Sequence, residues 1–127
     1  DPFAIADQLR ILYQICNLQF EGCYMFLKNH RYIFINETLP EHEQRLVMAH
    51  ELGHALLHRK ENCYFIRNKT LLLNSKKEIE ANRFAMELLL PDSFLDEYKE
   101  FTIEQISRMT GYHKKLIELK LVNERKK

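Results

Sequence analysis

The chain has 127 residues, 46% hydrophobic and 29% charged, with 3 Gly and 3 Pro, which excludes a disordered or fibrous polymer and leaves room for one ordinary core. A formal net charge of +1 excludes a global electrostatic pull toward nucleic acid or anionic lipid. Three cysteines, Cys16, Cys23 and Cys63, lack C-x-x-C spacing, so no disulfide framework is expected and a reducing, cytoplasmic setting fits best.

The opening "DPFAIADQLRILYQICNL" has no basic n-region and no stretch of the chain is long enough to span a membrane, so neither secretion nor insertion is expected. Ile5, Leu9, Leu12 and Ile15 recur at helical spacing and predict a first helix ending near Asn17. "CYMFLKNHRYIFIN" predicts a β-hairpin with Asn29 and His30 in its turn and residues 32 to 36 as its second strand. Thr38, Pro40 and Glu41 form a start signal for a long helix running to about Arg59. Residues 61 to 74 read as loop with one further strand. Ser75 to Leu90 return to helical period, closed by Pro91, and three short helices follow, with Gly111 capping the middle one.

The long helix carries "MAHELGHALLHRK". Residues four apart on a helix lie about 5 to 6 Å apart on one face, so His50 and His54 can pinch one ion. Glu51, rotated about 100° from His50, is placed to reach a water on that ion rather than the ion itself. This is the H-E-x-x-H arrangement of metallopeptidases, with two zinc ligands and a general base that takes the proton of the attacking water. Gly53 keeps the adjoining surface small, so that packed backbone or substrate can come close. A histidine-rich helix arising by composition alone is the bland alternative, and the discriminating question is whether the chain supplies a third ligand.

His58 is a poor third ligand, because on a continuous helix it lies about 6 Å further along the axis than His54. The extended H-E-x-x-H-x-x-G-x-x-H signature also fails, with Leu57 at its glycine and Lys60 at its last histidine. The later helix "SKKEIEANRFAMELLLP" offers Glu78 and Asn82 on one face, a carboxylate to bind zinc and an amide to fix a histidine tautomer. Glu78 also follows Ser75 by three, as in a capping box, and Glu80 would coordinate instead if the helix were rotated. The stripe Ala81, Phe84, Ala85, Leu88 and Leu89 favours Glu78, since it can pack on the first helix while Glu78 and Asn82 border the contact.

Together "HELGHALLH" and "EIEANRFAMELLLP" resemble the ImmA/IrrE family of zinc metallopeptidases, over roughly residues 20 to 121. The resemblance implies zinc held by His50, His54 and Glu78, with Glu51 as catalytic glutamate. It implies an α+β fold in which a small antiparallel sheet packs on the active-site helix and a helical segment follows. It also implies an anti-repressor of a phage or mobile element that cleaves a helix-turn-helix repressor.

The expected organisation is one metallopeptidase domain over residues 1 to 127, with a catalytic core over 1 to 90 and a helix-turn-helix-like subdomain over 91 to 127. In that tail Arg108, Lys114, Lys115 and Lys120 are offset by Glu104 and Glu118, so DNA binding is not expected. Tyr64, Tyr98 and His113 are open candidates for polarising the substrate oxyanion. Cys63 reads as an idle thiol, and His30 and His42 as surface residues. A monomer is expected. Strand "RYIFIN" is expected at a sheet edge, where unpaired backbone groups would capture an extended substrate; the bland alternative turns Ile33 and Ile35 into the core. The rival to an endopeptidase is a non-catalytic interaction or DNA-binding module stabilised by metal, for which an intact Glu51 would be superfluous.

Overall fold

A computed structural model describes residues 1 to 61 and 75 to 125. Helix α1 (Pro2–Gln8) starts on Asp1, whose carboxylate accepts from the Phe3 N–H at 3.3 Å. The helix expected to reach Asn17 stops after one more turn of chain. Arg10 takes φ 58° and the Ile11 N–H returns to the Ala6 carbonyl at 2.9 Å, a left-handed closure that satisfies the terminal carbonyls. The Arg31 guanidinium donates to the Leu9 carbonyl at 2.8 Å. Residues beyond it form strand β1 (Leu12–Cys16), because "LYQIC" is aromatic and β-branched enough to prefer pleated backbone once a partner strand lies beside it.

Strands β2 (Gly22–Leu27) and β3 (His30–Asn36) make the expected hairpin. Its turn sits one residue earlier than expected, on Lys28 and Asn29, both at positive φ (48° and 65°), as a two-residue turn matched to strand twist requires. The sheet order is β1-β3-β2. β3 runs parallel to β1, with Leu12 opposite Tyr32 and Cys16 opposite Asn36, and antiparallel to β2, with Gly22 opposite Ile35. The α+β class stands, but the sheet is mixed rather than antiparallel. "RYIFIN" is therefore the central strand, not an edge, and its ladder is used on both sides. The substrate cradle expected there is overturned, and Ile33 and Ile35 are fully buried.

Asn36 turns the chain into the next helix. Its carboxamide oxygen accepts from the Thr38 N–H and hydroxyl, both at 3.0 Å, so Thr38 serves an Asx turn rather than the helix cap expected of it. Helix α2 (Glu41–Leu57) starts at Pro40 with Glu41 and Glu43 in its first turn, where the helix dipole favours carboxylates. It lies on β2 and β3, and Val47, Met48, Leu52 and Ala55 join Tyr24, Ile33, Ile35, Ala6 and Ile11 in one core cluster. The buried Tyr24 hydroxyl donates to the Arg59 carbonyl at 2.5 Å and so ties the sheet to the chain leaving α2.

Helix α3 (Lys76–Leu89) opens on Ser75, whose hydroxyl accepts from the Glu78 N–H at 3.3 Å. It packs along α2, with Ala81 and Ala85 buried and Phe84 and Leu88 against the first cluster, as its apolar stripe predicts. Helices α4 (Asp92–Glu97), α5 (Ile103–Thr110) and α6 (Lys114–Arg125) follow. α5 starts with a full Thr102–Gln105 capping box and ends on Gly111 at φ 80°. Ile106, Leu116 and Ile117 close a second cluster on Leu46, Met86 and Leu90. Lys120, expected among the surface cations of the tail, is instead buried, with Nζ 2.6 Å from Glu87 and 2.8 Å from Asp92. Most of the expected loop and strand over 61 to 74, with Cys63 and Tyr64, lies outside the described residues. No described helix is long and apolar enough to cross a membrane.

Candidate active site

Two helices build the site. His50, Glu51 and His54 share α2, and Glu78 and Asn82 share α3; all five side chains are buried. Gly53 lets the helices come this close. A Cβ there would stand 3.0 Å from the Ala81 Cα, 3.1 Å from the Ala81 carbonyl oxygen and 3.2 Å from the Phe84 Cβ, so the space beside Gly53 is taken by packed backbone. Because Ala81 is the contact, Asn82 beside it and Glu78 about one turn earlier on α3 are carried over the histidines.

The Glu78 carboxylate lies across the pair. One oxygen is 2.5 Å from His54 Nε2 and the other 3.4 Å from His50 Nε2. Asn82 meets the far side of His50, with Oδ1 2.7 Å from Nδ1. An amide oxygen only accepts, so that bond puts a proton on His50 Nδ1 and makes Nε2 the nitrogen turned toward Glu78 and His54. Glu51 sits beside the pair, with Oε1 4.0 Å from His50 Nε2 and 3.9 Å from His54 Nε2. Burial by itself would raise the Glu78 carboxyl, but hydrogen bonds and charge from His50 and His54 outweigh it and hold it well below the usual carboxylate range.

These donors fit a divalent metal. Two imidazole nitrogens and a carboxylate converge, and ligand atoms of His50, Glu51 and His54 all lie within 4.8 Å of one another. Ligands at about 2.0 to 2.2 Å around a tetrahedral ion stand roughly 3.3 to 3.5 Å apart, which the His50–Glu78 separation matches. The His54–Glu78 separation is shorter than that and would open to admit an ion.

Glu78 rather than Glu80 is thus brought to the pair, and it keeps its place in the capped first turn as well. Glu80 faces the next histidine, with Oε2 3.4 Å from His58 Nε2. His58 ends α2 and has Glu61 3.9 Å from its other nitrogen, so it flanks the site without joining it. This His58–Glu80 pairing has no signal in the sequence, because it depends on how two helices far apart in the chain lie against each other. Tyr98 packs its ring against Phe94 and Phe101 in the second cluster. His113 is exposed and accepts from the Lys115 N–H through Nδ1 at 3.1 Å. His30 and His42 are exposed as expected, and His42 stacks on Tyr112.

Comparison with known proteins agrees with this geometry. The family model described as the IrrE N-terminal-like domain, a peptidase family, matches residues 9–116. The immunity region protein 2 of Bacillus phage phi105 is 42% identical over 130 residues, covering 99% of this chain and 82% of that protein. Metallopeptidase ImmA of Bacillus subtilis strain 168 is 43% identical over 79 residues, covering 59% of this chain and 46% of that protein. With a buried H-E-x-x-H pair on one helix, a family model over most of its length and a relative that matches nearly all of it, the chain belongs to the IrrE N-terminal-like peptidase family and is a metallopeptidase.

Proposed function

We propose that the chain is a zinc-dependent endopeptidase in which His50, His54 and Glu78 hold the ion and Glu51 is the general base. The observation that carries this reading is the Glu78 carboxylate laid across both histidines while Asn82 fixes the proton of one of them. Zinc, when bound, supplies Lewis acidity to the scissile carbonyl and acidifies water. Glu51 does the proton work. Its carboxylate accepts a proton from the attacking water as the new C–O bond forms, then delivers it to the amide nitrogen as the C–N bond breaks. Asn82 acts through His50, holding its tautomer and ring orientation. Helices α4 to α6 belong to the same domain on this reading and buttress α3 through the second cluster.

The substrate we infer is a helix-turn-helix repressor, cut to release the genes it silences in a phage or mobile element. The phage relative's name, an immunity region protein, supports that setting. Cys16, Cys23 and Cys63, without C-x-x-C spacing, suit a reducing cytoplasm. DNA binding is disfavoured because Lys120 is committed to Glu87 and Asp92 inside the protein, which thins the basic surface of the tail further.

The test is incubation of the zinc-loaded protein with the repressor encoded beside its gene. Discrete cleavage is expected from the native chain and none from Glu51→Gln, which should keep fold and zinc because the amide preserves shape but cannot accept the proton. An intact repressor with the native protein would refute the substrate, and a Glu51→Gln variant of near-native rate would refute the general-base role.

A further inference from the structure

The outer side of the sheet at β1 is built to pair with another strand. All of Leu12, Tyr13, Gln14 and Ile15 are exposed, with Leu12 at 52%, Tyr13 at 36% and Ile15 at 41%. α2 lies on β2 and β3, so among the described residues β1 overhangs that helical layer, and its one helical neighbour is α1, whose Phe3 ring meets Tyr13 edge-on at 5.2 Å between centroids. Among the described residues it has β3 on one side and no strand on the other. Edges of natural sheets are protected by charges, proline, bulges or covering elements. β1 lacks the first three: "LYQIC" contains no charge and no proline, and its five residues pair with β3 without a bulge.

We propose that β1 is a homodimer interface, in which two copies pair antiparallel about a two-fold axis at Gln14 to give one continuous sheet. The strand's own sequence selects a second copy over another partner. Full overlap of five residues puts Gln14 opposite Gln14, Leu12 opposite Cys16 and Tyr13 opposite Ile15 of the second copy. Every cross-strand pair is then apolar with apolar, or amide with amide, on the correct face, and no like charges meet. A two-fold contact requires this self-complementarity, and a strand selected for a charged or shaped partner would not show it. An axis perpendicular to the sheet keeps the α2 layers of both copies on one side, so neither active site is covered by the pairing.

The experiment is sedimentation equilibrium of the whole zinc-loaded chain. A small interface of this kind predicts dimerisation in the roughly micromolar to tens-of-micromolar range. Ile15→Lys, which replaces two apolar pairs with two stranded charges, should weaken the dimer at least about tenfold while leaving circular dichroism and zinc content unchanged, because Ile15 is exposed in the monomer. Gln14→Lys and Gln14→Glu test the register. Each alone should dimerise more weakly than the native chain, and an equimolar mixture should form a mixed dimer tighter than either homodimer. A native chain that stays monomeric to about 200 µM, well above the affinity range expected of a small interface, overturns the proposal. So does a dimer untouched by Ile15→Lys, which would lie elsewhere, or a mixture that shows no preference for the mixed pair.

Discussion

Gly53→Ala isolates the contact on which the site geometry depends. The added methyl would stand 3.0 and 3.1 Å from backbone atoms of Ala81 and 3.2 Å from the Phe84 Cβ, against the 3.5 to 4.0 Å at which carbon atoms rest. α3 must therefore retreat by about 0.5 Å, since two of the three atoms met are backbone and cannot rotate away. Overpacking of this size costs about 1 to 3 kcal/mol, and the better helix propensity of alanine offsets about 1 kcal/mol of it. A net loss of about 1 kcal/mol lowers the melting temperature by roughly 3 to 5 °C for a chain of this length. The larger effect falls on metal. Glu78 and Asn82 flank Ala81 on the displaced helix, and a ligand and its orienting partner moved by half an ångström should weaken zinc binding about 10- to 100-fold. Thermal unfolding in chelator reads the first effect, and competition with a chromophoric zinc chelator reads the second. A variant that melts at or above the native temperature and binds zinc as tightly would refute the claim that Gly53 seats α3.

Glu78→Ala should lose zinc while Glu80→Ala retains it, and metal analysis of the two purified variants decides between them; retention in the first and loss in the second would reverse the assignment. Chelation should leave the fold intact, because α2 and α3 are held by the apolar core and Glu78 lies against both histidines without an ion, and zinc at 100 times its dissociation constant should then add about 2.7 kcal/mol of stability, seen as a rise in melting temperature. Lys120→Met should cost about 1 kcal/mol near neutral pH, a modest figure because Glu87 and Asp92 remain partly solvated. Burial alone would lower the Lys120 ammonium, but its bonds to Asp92 and Glu87 raise it above 10.5. Its contribution is therefore fully present below about pH 10.5 and is lost as pH climbs through the raised folded value, so the native-minus-variant difference in urea unfolding should shrink only at the alkaline end.

What the chain determines by itself is local. Histidines at 50 and 54 share a face because four residues make about one helical turn, and Glu51 follows as their neighbour without reference to any other element. Ser75 caps α3 and Gly111 ends α5, each through bonds within a few positions. What only the tertiary structure decides involves partners far apart in sequence. Residues 12 to 16 satisfy a helical and an extended pattern equally, and the choice falls to β3, twenty positions on, which also makes the sheet mixed and takes β3 off the edge. Helical period alone leaves the rotation of α3 open between Glu78 and Glu80; the meeting of Ala81 with the bare backbone of Gly53 settles which carboxylate faces the histidines. Lys120 reads as surface because lysine usually is, and it is buried because α3 and α4 bring Glu87 and Asp92 to it. Hydrogen-bond period and capping are properties of a single segment, whereas burial and pairing are properties of two, and a one-dimensional pattern carries the first kind of information far better than the second.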